Sequence, residues 1–335
     1  MRVFLTVFLV ALTVTFVGIP WVRRAAFALN LVDVPSARKA HRTPTPLLGG
    51  AAIFAGAILG VLLIYRGDPQ PTVFGVVLAA SIVALTGLLD DYRPLPAWAK
   101  LAGQFLGFLV LAYFGIRVRL PVPEPINYAI TLLWLLGITN AINFLDNMDG
   151  LSAGISAVTA SFILLLALFN DQFLVGALAA GLLGACLGFL RYNFPPARIF
   201  MGDVGSLFLG FLLAAMGIQL RFPENSNFVT WMVPVFLFGL PIFDMTLVVV
   251  SRLRRGISPS TAGKDHISHR IVMRGFSPRE AVLILYLFSG ILGMMALFIT
   301  QATPTEGYVL GAIAAILALT AIGWLERQWK EGNNT

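Results

Sequence analysis

Apolar residues run along this chain in long blocks, and polar residues collect where the blocks end. A helix that crosses a bilayer needs about 20 predominantly apolar residues. The pattern predicts eleven such spans, over residues 3–20, 48–65, 72–89, 99–116, 126–142, 151–169, 172–190, 205–220, 228–250, 280–300 and 307–325. Arg2 alone precedes the first block and Arg23-Arg24 follows it, which predicts a retained span and not a signal peptide. The expected fold is a single all-α polytopic membrane domain over residues 1–335, with no soluble domain and no repeat.

Composition supports this class: 58% of the residues are hydrophobic and 12% are charged, about half the charged share of a soluble domain. The 32 glycines suit helices packed closely in a membrane. The single cysteine, Cys186, lies inside an apolar block, so no internal disulfide can form. A net charge of +7 would ordinarily raise the question of nucleic acid, but the charge is sorted by side. With the N-terminus outside, eighteen of the 23 Lys and Arg fall on the cytoplasmic side, chiefly in loops 21–47, 90–98, 191–204 and 251–279. That asymmetry predicts an outside N-terminus and a cytoplasmic C-terminus, and it excludes nucleic acid as the reason for the charge.

Five aspartates change the picture. Asp90, Asp91, Asp146, Asp149 and Asp203 all lie at block ends assigned to the cytoplasmic side. Acids so close to hydrocarbon are costly and usually functional. A convergent acidic cluster without a matching number of bases points to a cation.

Four segments carry the candidate chemistry. In Leu89-Asp90-Asp91-Tyr92-Arg93, adjacent carboxylates repel, so one holds a proton unless a cation intervenes; a solvated helix end is the plainer alternative. The segment Asn140-Ala-Ile-Asn143-Phe-Leu-Asp146-Asn147-Met-Asp149-Gly150 holds five polar residues in ten positions. If it is helical, Asn143, Asp146 and Asp149 share an arc of about 120° and present oxygen ligands of the kind Mg²⁺ prefers. In Phe200-Met-Gly-Asp203-Val-Gly-Ser206, Asp203 stands at a helix start, where it either caps the helix or serves a site. Phe200 either stacks on a flat ring or anchors the loop. The last loop holds His266, Ser268, His269 and Arg270, with donors suited to phosphates. Lys100 is a phosphate ligand or an interfacial lysine. Asp244, deep in the ninth block, is a packing partner or a site residue.

Taken in order, these motifs resemble those of the polyprenyl-phosphate N-acetylhexosamine-1-phosphate transferases. Arg38-Lys39-Ala-His41 with Pro46-Leu-Leu-Gly49-Gly50 resembles the first cytoplasmic loop of that family, so the likeness runs from about residue 30 to 280. The span count and the Arg-Lys-x-His loop look like the branch acting with N-acetylglucosamine-1-phosphate. The alternative branch, translocase I of peptidoglycan synthesis, carries three consecutive histidines where this chain has His266-Ile-Ser268-His269. Ser268 departs from the His-Ile-His-His of the first branch as well; a hydroxyl can hydrogen-bond but cannot carry positive charge.

The resemblance implies transfer of N-acetylhexosamine-1-phosphate, most simply the GlcNAc form, from a UDP-sugar to undecaprenyl phosphate, with release of UMP. It implies Mg²⁺, for which Mn²⁺ could substitute, and a cytoplasm-facing active site in the bacterial inner membrane. Asp203 is then the expected metal ligand, assisted by Asn143. Asp90 is the expected base or orienting group, supported by Asp91. Lys100 would bind phosphate, and Phe200, Asp146 and Asp149 would meet the nucleoside. Lys39, Asn140, His266, Ser268, His269 and Arg270 complete the expected substrate contacts. The lipid bilayer is an obligate partner, and a homodimer is a general expectation. A transporter would place its polar sites near the bilayer midplane, where this chain has only Asp244.

Overall fold

The computed structural model describes residues 1–33, 44–63, 71–261 and 263–333, with side chains through residue 328. In these regions the regular structure is helical apart from one short pair of strands. The helices are α1 (Arg2–Ala28), α2 (Gly49–Leu62), α3 (Pro71–Tyr92), α4 (Ala97–Tyr113), α5 (Glu124–Leu145), α6 (Leu151–Phe169) and α7 (Phe173–Asn193), followed by α8 (Gly202–Gln219), α9 (Asn227–Thr230), α10 (Met232–Leu237), α11 (Gly239–Arg254), α12 (Ile267–Val272), α13 (Pro278–Ile299) and α14 (Pro304–Asn333). Strands β1 (Val32–Asp33) and β2 (Thr45–Pro46) pair antiparallel, with Val32 opposite Pro46 and Asp33 opposite Thr45.

Among the described residues, eight helices are long and apolar enough to cross a bilayer: α1, α3, α5, α6, α7, α8, α13 and α14. Helices α2 and α4 have 14 and 17 residues, or about 21 and 25 Å of rise, short of a hydrocarbon core of about 30 Å. The block at 228–250, expected as one span, is not a single helix. It breaks after α10, and the two halves meet at a bend of 68°. Pro241 supplies the reason: it has no amide to donate back to the Leu237 carbonyl, and it sits in the first turn of α11, where none is needed. Pro234 stands likewise in the first turn of α10, ahead of this break.

Helix α8 is the centre of the bundle. In its apolar window 89% of the residues are buried, against 11% for α14, so α14 lies at the rim with its apolar side chains free to meet lipid. Large exposed apolar residues such as Leu287, Ile291, Met294, Ile316, Leu317 and Leu319 fall on α13 and α14. Around α8 pack α2, α3, α5 and α6. The contact with α2 is close enough that a Cβ on Gly50 would lie 2.2 Å from Gly205 Cα. Small residues are what permit such an approach. This packing brings the α8 N-terminus beside the C-terminal ends of α3 and α5 and the start of α4.

Candidate active site

The N-terminus of α8 leaves backbone amides without helical partners, and Asp91, at the end of α3, satisfies two of them. Its Oδ1 accepts from Asp203 N–H at 2.7 Å, and its Oδ2 accepts from Val204 N–H at 3.0 Å. Gly202 makes room for this cap. Its φ is +73°, and a Cβ there would stand 2.5 Å from Asp91 Oδ2 and 2.3 Å from the Leu47 carbonyl. Asp91, expected to support its neighbour Asp90, thus caps α8. Asp203 is not the cap; it lies inside the first turn of α8, which leaves its side chain free for other partners.

Asp90 faces elsewhere. Its Oδ1 accepts from Leu95 N–H at 2.7 Å, and its Oδ2 lies 3.2 Å from Lys100 Nζ. The same ammonium is 2.8 Å from Asp203 Oδ2. Asn143, on α5, donates through Nδ2 to Asp203 Oδ1 at 3.0 Å and to Ser206 Oγ at 2.8 Å. Four helices thus contribute Asp90, Lys100, Asn143 and Asp203 to one cluster. Among the described residues, no three acidic, His or Cys side chains converge as a ready metal cage.

The Asn143–Gly150 segment departs from the helical expectation. Helix α5 ends at Leu145, and Asp146 leaves it with φ −78° and ψ 44°. Asn143, Asp146 and Asp149 therefore do not share a helical arc. Asp149 accepts from Ala197 N–H at 2.8 Å, and Gly150 N–H donates to Asn193 Oδ1 at 2.8 Å, so the turn is tied to the end of α7 and to the loop ahead of α8. Burial pushes the Asp146 carboxyl up to about 8, and the charges of Asp203, Asp91 and Asp149 push the same way. Without a cation nearby, Asp146 holds a proton at neutral pH.

A second group of residues is built on α11 and α12. Asp244 is fully buried; its Oδ2 lies 2.7 Å from His266 Nδ1, and its Oδ1 accepts from Ile267 N–H at 2.7 Å. Arg252 grips Asp265 with two bonds of 3.0 and 2.8 Å, and Arg255 adds a third. Burial alone would raise the Asp265 carboxyl, but the two guanidiniums outweigh it and hold it at about 2. His269 is drawn down to about 4, first by burial and then by neighbouring His266, which keeps it neutral. Its Nδ1 is buried with no hydrogen-bond partner among the described residues.

The two groups touch. Ser268 Oγ donates to Asn147 Oδ1 at 2.6 Å. The Phe144 ring meets His266 edge-on at 6.1 Å and lies 5.8 Å from the Arg252 guanidinium carbon. Sequence patterning gave no site role to Asn147, Phe144, Arg252 or Asp265, although Asn147 stood in the polar-dense segment after α5 and Arg252 and Asp265 stood in the basic loop, whose arginines charge sorting already explained.

Three expected substrate ligands have other occupations. Arg270 is 1% exposed and spends its guanidinium on the Asp265 and Leu325 carbonyls, Ser251 and Glu326 Oε1. It braces α12 against α14 and has no face left for a ligand. Asn140 pairs with buried Gln104 across α4 and α5, at 2.9 Å for its Nδ2 donation, and also donates to the Leu136 carbonyl. A polar pair between membrane helices is its role. Ser268 is fully buried against Asn147. Phe200 holds the loop by its backbone, donating to the Pro46 carbonyl and accepting from Gly49 N–H, while its ring is partly exposed. Lys39 lies outside the described residues.

A cavity of about 400 Å³ opens at the other end of the helices, lined by Thr72, Gln172, Arg119 and Arg221 among others. Its lining includes no carboxylate and none of the clustered residues.

The chain has clear relatives in sequence. Residues 73–221 match the family described as Glycosyl transferase family 4. The chain is 36% identical over 307 residues to a probable undecaprenyl-phosphate N-acetylglucosaminyl 1-phosphate transferase of Bacillus subtilis (strain 168), covering 88% of this chain and 85% of that one. It is 33% identical over 357 residues to the decaprenyl-phosphate N-acetylglucosaminephosphotransferase of Mycobacterium tuberculosis (strain CDC 1551 / Oshkosh), covering 95% and 88%. The undecaprenyl-phosphate alpha-N-acetylglucosaminyl 1-phosphate transferase of Escherichia coli (strain K12) is 25% identical over 324 residues, covering 92% and 87%. A membrane-embedded transferase is the class these relatives define. The chain belongs to glycosyl transferase family 4.

Proposed function

We propose that this protein transfers N-acetylglucosamine-1-phosphate from UDP-N-acetylglucosamine to undecaprenyl phosphate, giving undecaprenyl-diphospho-N-acetylglucosamine and UMP. The observation that carries this reading is the convergence of Asp90, Lys100, Asn143 and Asp203 from four helices at one end of the bundle. The printed names of relatives covering most of the chain favour this acceptor class and sugar.

In the reaction, an oxygen of the prenyl phosphate attacks the phosphorus next to the sugar. The bond from that phosphorus to the bridging oxygen breaks, and the bridging oxygen leaves with UMP. Phosphoryl transfer of this kind depends on alignment and on neutralising charge. The acceptor phosphate is largely ionised at neutral pH, so Asp90 acts chiefly by orienting it and not by removing a proton. Lys100 draws phosphate oxygens toward the acids. The Asp146 turn and the Phe200 ring receive the nucleoside. His266, held from behind by Asp244, and neutral His269 offer ring nitrogens to the diphosphate or sugar.

A divalent cation, Mg²⁺ first and Mn²⁺ as substitute, completes the site. Two carboxylate oxygens already meet at one cation, the Lys100 ammonium, and oxygen donors of this type suit Mg²⁺. Asp203 and Asp90 would hold the ion, with Asn143 orienting Asp203. The ion would supply charge neutralisation on the diphosphate.

The clustered acids face the cytoplasm in this reading, with eleven apolar segments and an outside N-terminus, in a bacterial inner membrane. The placement of the basic residues supports it. Since Cys186 is buried and is the only cysteine, single cysteines placed at residues 93 and 119 can be labelled from either side to check the orientation.

The direct test is UMP release by purified protein given UDP-GlcNAc, undecaprenyl phosphate and Mg²⁺, with UDP-MurNAc-pentapeptide as competitor. Asp90→Asn and Asp203→Asn should each nearly abolish release. Full turnover by either variant removes that residue from the reaction.

A further inference from the structure

The Asp90 and Asp203 carboxylates are arranged alike. In each, Oδ1 is held by a neutral donor, Leu95 N–H at 2.7 Å for Asp90 and Asn143 Nδ2 at 3.0 Å for Asp203. In each, Oδ2 turns to the Lys100 ammonium, at 3.2 and 2.8 Å. The neutral donors fix the carboxylate planes, so both Oδ2 atoms point at one position. That position holds a monovalent cation tethered to the chain. A free divalent cation ligated by the same oxygens cannot share it.

We propose that Lys100 is a tethered place-holder, occupying the divalent-cation position in the substrate-free protein and vacating it when that cation binds. This rests on the transferase reading above. Charge explains the advantage of such a device. Two carboxylates facing each other without a cation would repel and splay the ends of α3 and α8. The ammonium keeps them converged. On cation binding, the site gains charge, and the ammonium is released on a flexible four-carbon stem, free to reach a phosphate oxygen a few ångströms away. Cation and diphosphate binding are thereby coupled: the cation's arrival makes Lys100 available as a phosphate ligand. The place-holder also weakens cation binding in the absence of substrate, because two ion pairs must open first.

The test is cation binding by the full-length protein without substrate, with Mn²⁺ as the probe and paramagnetic resonance as readout. Lys100→Gln should bind Mn²⁺ more tightly than the native protein, on the order of ten-fold, although its UMP release falls. Lys100→Arg, which keeps the positive charge, should not gain affinity. Asp203→Asn should lose the binding and so locate the ion. Equal or weaker Mn²⁺ binding by Lys100→Gln overturns the proposal, as does absence of saturable Mn²⁺ binding by both the native protein and Lys100→Gln. If Lys100→Gln does not fold, native protein answers through acylation of Lys100 by an amine reagent, read by peptide mass spectrometry. Mg²⁺ should speed that acylation; an unchanged or slower rate rejects the place-holder. These readouts need neither sugar nucleotide nor prenyl phosphate. A wrong substrate assignment would leave them intact and show only in the UMP assay.

Discussion

His266 Nδ1 lies 2.7 Å from Asp244 Oδ2, and both residues are buried. A carboxylate in this position fixes the ring's orientation and its tautomer, leaving the other nitrogen for a ligand. Asp244 reaches the site only through His266, so it is a positioning residue. Asp244→Asn keeps the shape but offers an amide where the ring nitrogen meets a carboxylate. UMP release should fall by about ten- to a hundred-fold, with a shifted pH profile and little change in melting temperature. An unchanged pH profile would leave Asp244 with a packing role alone.

Arg270 and Glu326 form an ion pair at 2.7 Å, both nearly inaccessible. Removing one partner of such a pair strands the other charge, at a cost of about 3–5 kcal/mol. Arg270→Ala should therefore lower thermal stability sharply while leaving the Km for UDP-GlcNAc in the remaining folded protein near native. The double variant Arg270→Met with Glu326→Leu should recover much of the loss. Melting curves and initial rates on the same preparations decide between a brace and a substrate ligand.

Asp91 accepts both leading amides of α8. Asp91→Ala should cost about 1–2 kcal/mol and release Asp203 from its place. Activity should then fall more steeply than stability, and Asp91→Asn, which keeps one acceptor oxygen, should lie between. Hydrogen exchange at Asp203 and Val204 should rise in step with the loss of rate.

Asp146 carries a stability signature in pH. Its folded value is about 8, above the model-peptide 3.8. The folded state therefore binds more protons than the unfolded state between those values, and stability falls as pH rises through that window. Asp146→Asn removes this dependence. Without divalent cations, the variant should melt above the native protein at pH ~8 and beyond, and close to it below pH ~4. Added Mg²⁺ should narrow the difference by lowering the cost of the charged carboxylate. A native melting curve flat across the window would contradict a neutral Asp146.

Patterning located the helices well, because an apolar block of about 20 residues is a local property of the chain. It missed the break in the 228–250 block although Pro234, Gly239 and Pro241 were in view, because hydropathy does not register a lost amide donor. It also left open whether Asn143, Asp146 and Asp149 share a helical arc, since a run of polar residues looks the same on a helix and in a turn. Within the site, patterning found which residues come together far better than what each does. Asp90, Lys100, Asn143 and Asp203 meet as a cluster. Asp91, Asn140, Ser268 and Arg270 instead hold that cluster's surroundings in place.

The sequence by itself determined that this is a helical membrane protein with its acids gathered at the ends of apolar blocks, because burial of apolar runs and the expense of charge near lipid act on composition over short stretches. Tertiary structure alone decided the partners. Asp91 and Asp203 are 112 residues apart and Ser268 and Asn147 are 121 apart, and no local pattern encodes such a pairing. Two adjacent aspartates with the same chemistry receive opposite tasks: the packing of α8 against α3 turns Asp91 to backbone amides and leaves Asp90 facing Lys100.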